Sequence, residues 1–119
     1  LGIAEHPGIR VVASQTTNWE RALAYNVAEN LLQAHPEIDA IFAANDEMAL
    51  GALEAADAAQ RLETASVIGF DAIPDALDNI RPGRLLGSVP AFPGATKTLK
   101  HGVILLKTTL MHVLCRHYQ

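Results

Sequence analysis

The sequence has 119 residues, 50% of them hydrophobic, and a formal charge of −4. That is enough for one compact domain with a single core. Its nine basic residues are scattered, leaving no footprint for nucleic acid, and the single cysteine, Cys115, excludes an internal disulfide framework.

The chain begins at Leu1 with neither a methionine nor a charged-then-apolar leader, and it reads as a piece of a longer polypeptide. Pro7-Gly8 is a turn signal, and the β-branched run Ile9–Ala13 after it predicts a strand. Thr17 and Glu20 have the spacing of a capping box. The helix that follows carries Leu23, Ala24, Val27, Ala28, Leu31 and Leu32 in one stripe and closes at His35-Pro36. Asp39–Ala44 predicts a second strand, and Asp46 to about Arg61 a helix that buries Ala49, Leu50, Leu53 and Ala56. Ser66–Phe70 is the third strand. Pro74 suits a first helical turn, so a short helix runs to about Ile80 and stops before Arg81-Pro82-Gly83. Leu85–Val89 is the fourth strand.

Pro93-Gly94 then opens a last predicted helix with Ala95, Leu99, Val103, Leu106 and Leu110 on one face, broadened by Ile104 and Leu105. A helix so widely apolar needs a second layer or a partner. Its apolar core, Val103–Leu106, is far below the roughly 20 residues that span a bilayer. The order βαβαβαβα places the chain in the α/β class, as a three-layer parallel sheet flanked by helices with right-handed crossovers.

The most informative stretch is Ile41–Leu50, where a β-prone run ends in Asn45, Asp46 and Glu47 and a helix follows at once. Ligands of open parallel sheets bind beyond the carboxyl ends of strands. Twenty-six residues later Val67-Ile68-Gly69-Phe70 runs into Asp71 in the same way. Asn45 offers an amide that both donates and accepts, suited to neighbouring sugar hydroxyls, but asparagine is equally a good helix N-cap, and the residues alone leave both roles open. Asp46 is the better cap if Asn45 points outward. Asp71 is a carboxylate acceptor for vicinal hydroxyls or a turn residue, and its match in position to Asn45 favours the ligand. Trp19, the only tryptophan, follows the first strand. Its indole can stack on the C–H face of a sugar, or it can serve as a core or staple residue.

Catalysis finds less support. No histidine or serine stands at a matching strand end to complete a triad, and there is neither a dinucleotide fingerprint nor a phosphate loop. Paired glycosidase carboxylates flanking a cleft are not recognisable in half a pocket. His112, Cys115 and His117 fit no common zinc spacing, so no metal and no cofactor is expected.

Ala13-Ser14-Gln15, the run Asn30-Leu31-Leu32-Gln33-Ala34-His35-Pro36, Ile41–Leu53, and Gly69-Phe70-Asp71 with Pro74-Asp75 together resemble the ribose-type sugar-binding proteins of bacterial ABC importers. The likeness covers roughly Pro7 to Lys100, and the block Asn45–Leu53 is its most specific part. It implies a periplasmic-binding-protein-like fold of two α/β lobes that close on a monosaccharide and present it to a membrane permease. It also implies a periplasmic location and no enzymatic activity. Residues 1–110 correspond to the C-terminal lobe, and 111–119 to a divergent, poorly ordered tail; a truncated or frameshifted product would explain both ends. By position, Trp19 resembles the residue that stacks on the sugar, and Asn45 and Asp71 resemble its polar contacts. Ala91 stands where the family often has a glutamine, so another pentose or a hexose joins ribose as a candidate ligand. A lobe alone would bind at millimolar strength or weaker, and surfaces left open by a missing lobe would favour a homodimer. The alternative is the effector domain of a lactose/purine-type repressor, which shares the fold.

Overall fold

The computed structural model describes residues 9–90 and 102–108. Up to residue 90, β-prone runs and alanine-rich stripes alternate as the sequence predicts. The elements are β1 (Ile9–Thr16), α1 (Arg21–Ala34), β2 (Ala40–Ala43), α2 (Asp46–Ala58), β3 (Ser66–Asp71), α3 (Pro74–Ile80), β4 (Gly87–Pro90) and β5 (Gly102–Thr108). The sheet runs in the order β1-β5-β2-β3-β4. β2, β3 and β4 are mutually parallel, whereas β5 is antiparallel to both β1 and β2. β1 therefore points the same way as β2, β3 and β4, and the carboxyl ends of all four share one edge. Helices flank this sheet, and the α/β lobe architecture holds.

Two expectations fail. Among the described residues, the C-terminal element is a strand over Gly102–Thr108, where the sequence predicts the body of a helix. Val103–Leu106 is a continuous apolar run, and such a run suits a strand paired on both edges as well as it suits a helix. The two-sided apolarity supplied by Ile104 and Leu105 was the sign of that alternative. Val103–Leu106 consequently pairs with β1 and β2 inside the sheet and does not form an open helical face. The residues from Pro93 to His101, the tail 111–119, Ala91 and the His112, Cys115 and His117 group lie outside the described residues.

The second failure is the capping box. α1 begins at Arg21, and its N-cap, Glu20, makes no side-chain cap bond. Thr17 instead lies fully buried, donates its hydroxyl to Met48 Sδ, and accepts the Glu20 N–H at 2.9 Å through its carbonyl. The chain needs Thr17 for a turn that comes before the helix.

α1 buries Ala24, Ala28, Leu31 and Leu32, four members of its predicted stripe. α2 buries Met48 through Leu53 without a break, together with Ala55 and Ala56. It packs against α1 and covers β2 and β3. Small residues allow this closeness. A Cβ on Gly51 would fall on the backbone carbonyl of Arg21, and would lie 3.0 Å from Tyr25 N. Ile38, Ile41, Leu53, Val67 and Leu85 fill the remaining space with at most 1% exposure, each worth about 1.5–3 kcal/mol of burial.

Candidate functional site

The shared carboxyl edge carries all three candidate residues. Trp19 stands three residues beyond the end of β1, Asn45 two beyond β2, and Asp71 is the last residue of β3. β2 and β3 pair with Phe42 opposite Ile68, so Asn45 and Asp71 each follow that pair by three residues, at equal register on neighbouring strands. Adjacent strands are about 4.8 Å apart, and Asn45 and Asp71 stand at the carboxyl ends of two such neighbours. β1 lies about two spacings from β2, across β5. Trp19 thus approaches the edge from the far side, half-buried against the core.

Backbone strain concentrates at this edge. Five described non-glycine residues have positive φ, and four of them fall at this edge: Asn18 (49°) and Trp19 (66°) after β1, and Asp71 (118°) and Ala72 (57°) where β3 ends. Left-handed conformations cost on the order of 1–3 kcal/mol each outside glycine, less for Asn and Asp. Such strain persists only where the surroundings over-determine it.

Those surroundings centre on the first turn of α2. Asn45 is the N-cap, its Oδ1 accepting the Met48 N–H at 2.9 Å. The capping role is therefore real, and it fixes which way the amide lies. Its NH2 group, with two donors, has no partner among the described residues, so capping and ligand contact do not compete. Asp46 is not the cap. It is 0% exposed, and it sends both oxygens away from its own helix. Oδ1 accepts from Ser88 Oγ at 2.7 Å and Oδ2 from the Ile73 N–H at 2.9 Å. Ser88 Oγ in turn accepts the Ala72 N–H at 2.9 Å. The pairing of Asp46 with Ser88 at this edge is what sequence reasoning missed. The signal was present: Asp46, Ala49, Leu50 and Leu53 occupy one helical stripe, so Asp46 had to face the core.

Glu47, next along, binds Arg21 in bidentate fashion, at 3.0 Å to Nε and 3.2 Å to Nη2, while Asp75 reaches the same Nη2 at 3.5 Å. The hydrogen bonds that Arg21 donates to Glu47 raise the pKa of the guanidinium above its ordinary value. This cluster joins the starts of α1, α2 and α3. A groove of about 190 Å³ beside it is lined by Leu50, Leu53, Asp78, Asn79 and Arg84 among others, and includes none of Trp19, Asn45 and Asp71.

The model of the periplasmic binding protein domain matches residues 2–96. The ribose import binding protein of Salmonella typhimurium is 42% identical over 91 residues, which make up 76% of this chain and 30% of that protein. An ABC transporter periplasmic solute binding protein from Actinobacillus succinogenes, solved with bound D-allose, superposes with a TM-score of 0.67 at 46% identity, over 69% of this chain and 29% of the other. A solute binding protein from Bacillus halodurans with bound myo-inositol gives 0.67 at 43% identity, over 70% and 29%. The chain thus spans under a third of the length of these relatives. With the match running through most of the sequence and the lobe architecture agreeing with it, this chain belongs to the periplasmic binding protein domain family.

Proposed function

We propose that the chain is one lobe of a non-enzymatic binding protein for a monosaccharide, serving an ABC importer from the periplasmic side. Trp19 stacks on the apolar face of the sugar, the Asn45 amide donates to a ring hydroxyl, and Asp71 accepts from neighbouring ones. The observation that carries this reading is the equal register of Asn45 and Asp71 at one sheet edge, with Trp19 on the same edge. A carboxylate beside an amide donor matches vicinal hydroxyls, and an indole supplies the complementary apolar contact. Relatives named for ribose import or solved with allose and myo-inositol support a polyhydroxylated ligand. Their role in import supports transport over the repressor alternative.

Closure of two lobes buries most of the ligand in a clamp of this kind. One lobe makes half the contacts, so we expect binding in the millimolar range or weaker, unless two copies meet face to face and rebuild a cleft. Titration with D-ribose, D-allose and myo-inositol tests the reading, because Trp19 is the only tryptophan and its emission reports on the site. Saturable quenching or enhancement at millimolar sugar, weakened in Asp71→Asn, is the expected result. Emission unmoved by all three sugars overturns the assignment, and micromolar affinity in a monomer proven by light scattering overturns the half-site argument.

A further inference from the structure

We propose that Asp46 and Ser88 are positioning residues that set the Asp71 carboxylate for a polyhydroxylated ligand, an inference that deepens the sugar-binding reading and rests on it. The segment after β3 is short and irregular: the strand ends at Asp71 and α3 begins at Pro74. Asp71 and Ala72 both have left-handed φ, so their conformation is not one the local sequence would choose. The next two backbone N–H groups, those of Ala72 and Ile73, end on one network. The Ala72 N–H donates to Ser88 Oγ, the Ser88 hydroxyl donates to Asp46 Oδ1, and the Ile73 N–H donates to Asp46 Oδ2.

The network is built into the fold. A fully buried carboxylate needs partners, and an aspartate at the first position of a helix could find them in its own first turn. Asp46 finds both in the neighbouring loop and strand instead. Ser88 pairs with Gly69 in the β3–β4 register, and a Cβ on Gly69 would occupy the position of Asp46 Oδ1. The missing side chain at Gly69 is the space in which Asp46 reaches Ser88. Three elements (α2, β4 and the β3–α3 loop) therefore meet to fix the backbone angles that decide where the Asp71 carboxylate stands.

The test is a double-mutant comparison with a conservative rescue. Ser88→Ala should weaken D-allose and D-ribose binding about tenfold, the loss expected from one hydrogen bond to a charged group. In an Asp71→Asn background the same substitution should weaken it less than about twofold, because the group being positioned is already altered. Ser88→Thr, which keeps the hydroxyl, should restore affinity. Amide exchange at Ala72 and Ile73 should speed up about tenfold in Ser88→Ala and in Asp46→Asn, with the α2 core amides unchanged. Equal weakening in both backgrounds assigns Ser88 to general stability and overturns the inference, as does unchanged exchange at Ala72 and Ile73. If neither sugar binds the wild-type chain, the sugar-binding reading fails, and with it the ligand class named here; the exchange measurement still decides the brace by itself.

Discussion

Substituting Gly69 with alanine tests the packing beneath the candidate edge most directly. The new methyl would overlap Asp46 Oδ1 and stand 2.9 Å from the Ala49 Cβ, closer than real Cβ atoms approach one another. Asp46 and Ala49 are both fully buried, so neither can swing into solvent. Two relaxations are open. β3 can shift outward, an overpacking cost of about 1–3 kcal/mol. Alternatively the carboxylate can move and lose a hydrogen bond to Ser88 or Ile73, at about 1.5–3 kcal/mol for a bond to a charged group. Because Asp46 and Ala49 are both fully buried, either route falls in the upper part of its range, roughly 2–3 kcal/mol. Alanine returns about 0.5–1 kcal/mol through the reduced entropy of the unfolded chain. The net is a loss of about 2 kcal/mol, a large share of the roughly 5–15 kcal/mol by which such domains are stable. With a urea slope of about 1–3 kcal/mol per molar, the midpoint followed by circular dichroism should fall by roughly 1 M. In an Asp46→Ala background the collision with the carboxylate is gone, and the same substitution should cost less than about 1 kcal/mol. An unchanged midpoint in the first case, or an equal drop in both, would refute the reasoning.

Substitutions at three further positions separate roles that the structure superimposes. Asn45→Asp keeps a good cap and should leave stability within about 0.5 kcal/mol, whereas Asn45→Ala should cost about 1 kcal/mol. Both lose the amide donors, so both should lose sugar affinity in a fluorescence titration, and a loss confined to the alanine variant would leave Asn45 a cap alone. Gly51→Ala should lower the melting temperature despite a gain of about 1 kcal/mol in helix propensity, because its methyl strikes the main-chain oxygen of Arg21, which no rotamer change can move. Arg21→Ala should cost less than about 1 kcal/mol and lose even that in high salt, since the Arg21 and Glu47 side chains are 35% and 48% exposed and the pair is screened.

The sequence shows most of the element order because two periods, near 3.6 and 2, are cleanly separated over residues 9–90. Pro74 marked the start of α3 and the Arg81-Pro82-Gly83 run its end, and α3 spans Pro74–Ile80. What stayed hidden has particular causes. Gly102–Thr108 reads as helix because its apolar run is continuous, and no periodicity distinguishes a strand flanked on both sides from a buried helical turn. Its antiparallel place between β1 and β2 is a long-range pairing that no local pattern encodes. Thr17 and Glu20 match a capping box in spacing, yet the chain forms a turn there, with Thr17 committed to Met48, a contact 31 residues away. The three candidate residues were legible as strand-end positions. The partners of Asp46 were not, because Ser88 lies 42 residues on and meets it only through the β3–β4 pairing.

The reason the run Asn45-Asp46-Glu47-Met48 stands out in the sequence lies in how one helical turn distributes its side chains. Successive residues of an α-helix point about 100° apart, so four in a row face four directions. Asn45 closes the helix on itself, Asp46 holds the β3–α3 loop and Ser88 of β4, Glu47 ties Arg21 and thereby the start of α1, and Met48 receives the hydroxyl of Thr17 ahead of the strained Asn18-Trp19 pair. Both left-handed loops at the edge are thus anchored to the same turn. Strain of about 1–3 kcal/mol per residue can be sustained because each loop is held by a buried contact to this turn, and not by its own sequence. A one-residue slip of α2 would exchange all four directions at once. It would turn Asp46 to solvent, leave Ala72 and Ile73 without their network, and point Asn45 inward. The polar block therefore specifies helix register and site geometry together, and of its four side chains only Asn45 keeps donors to offer at the open edge among the described residues.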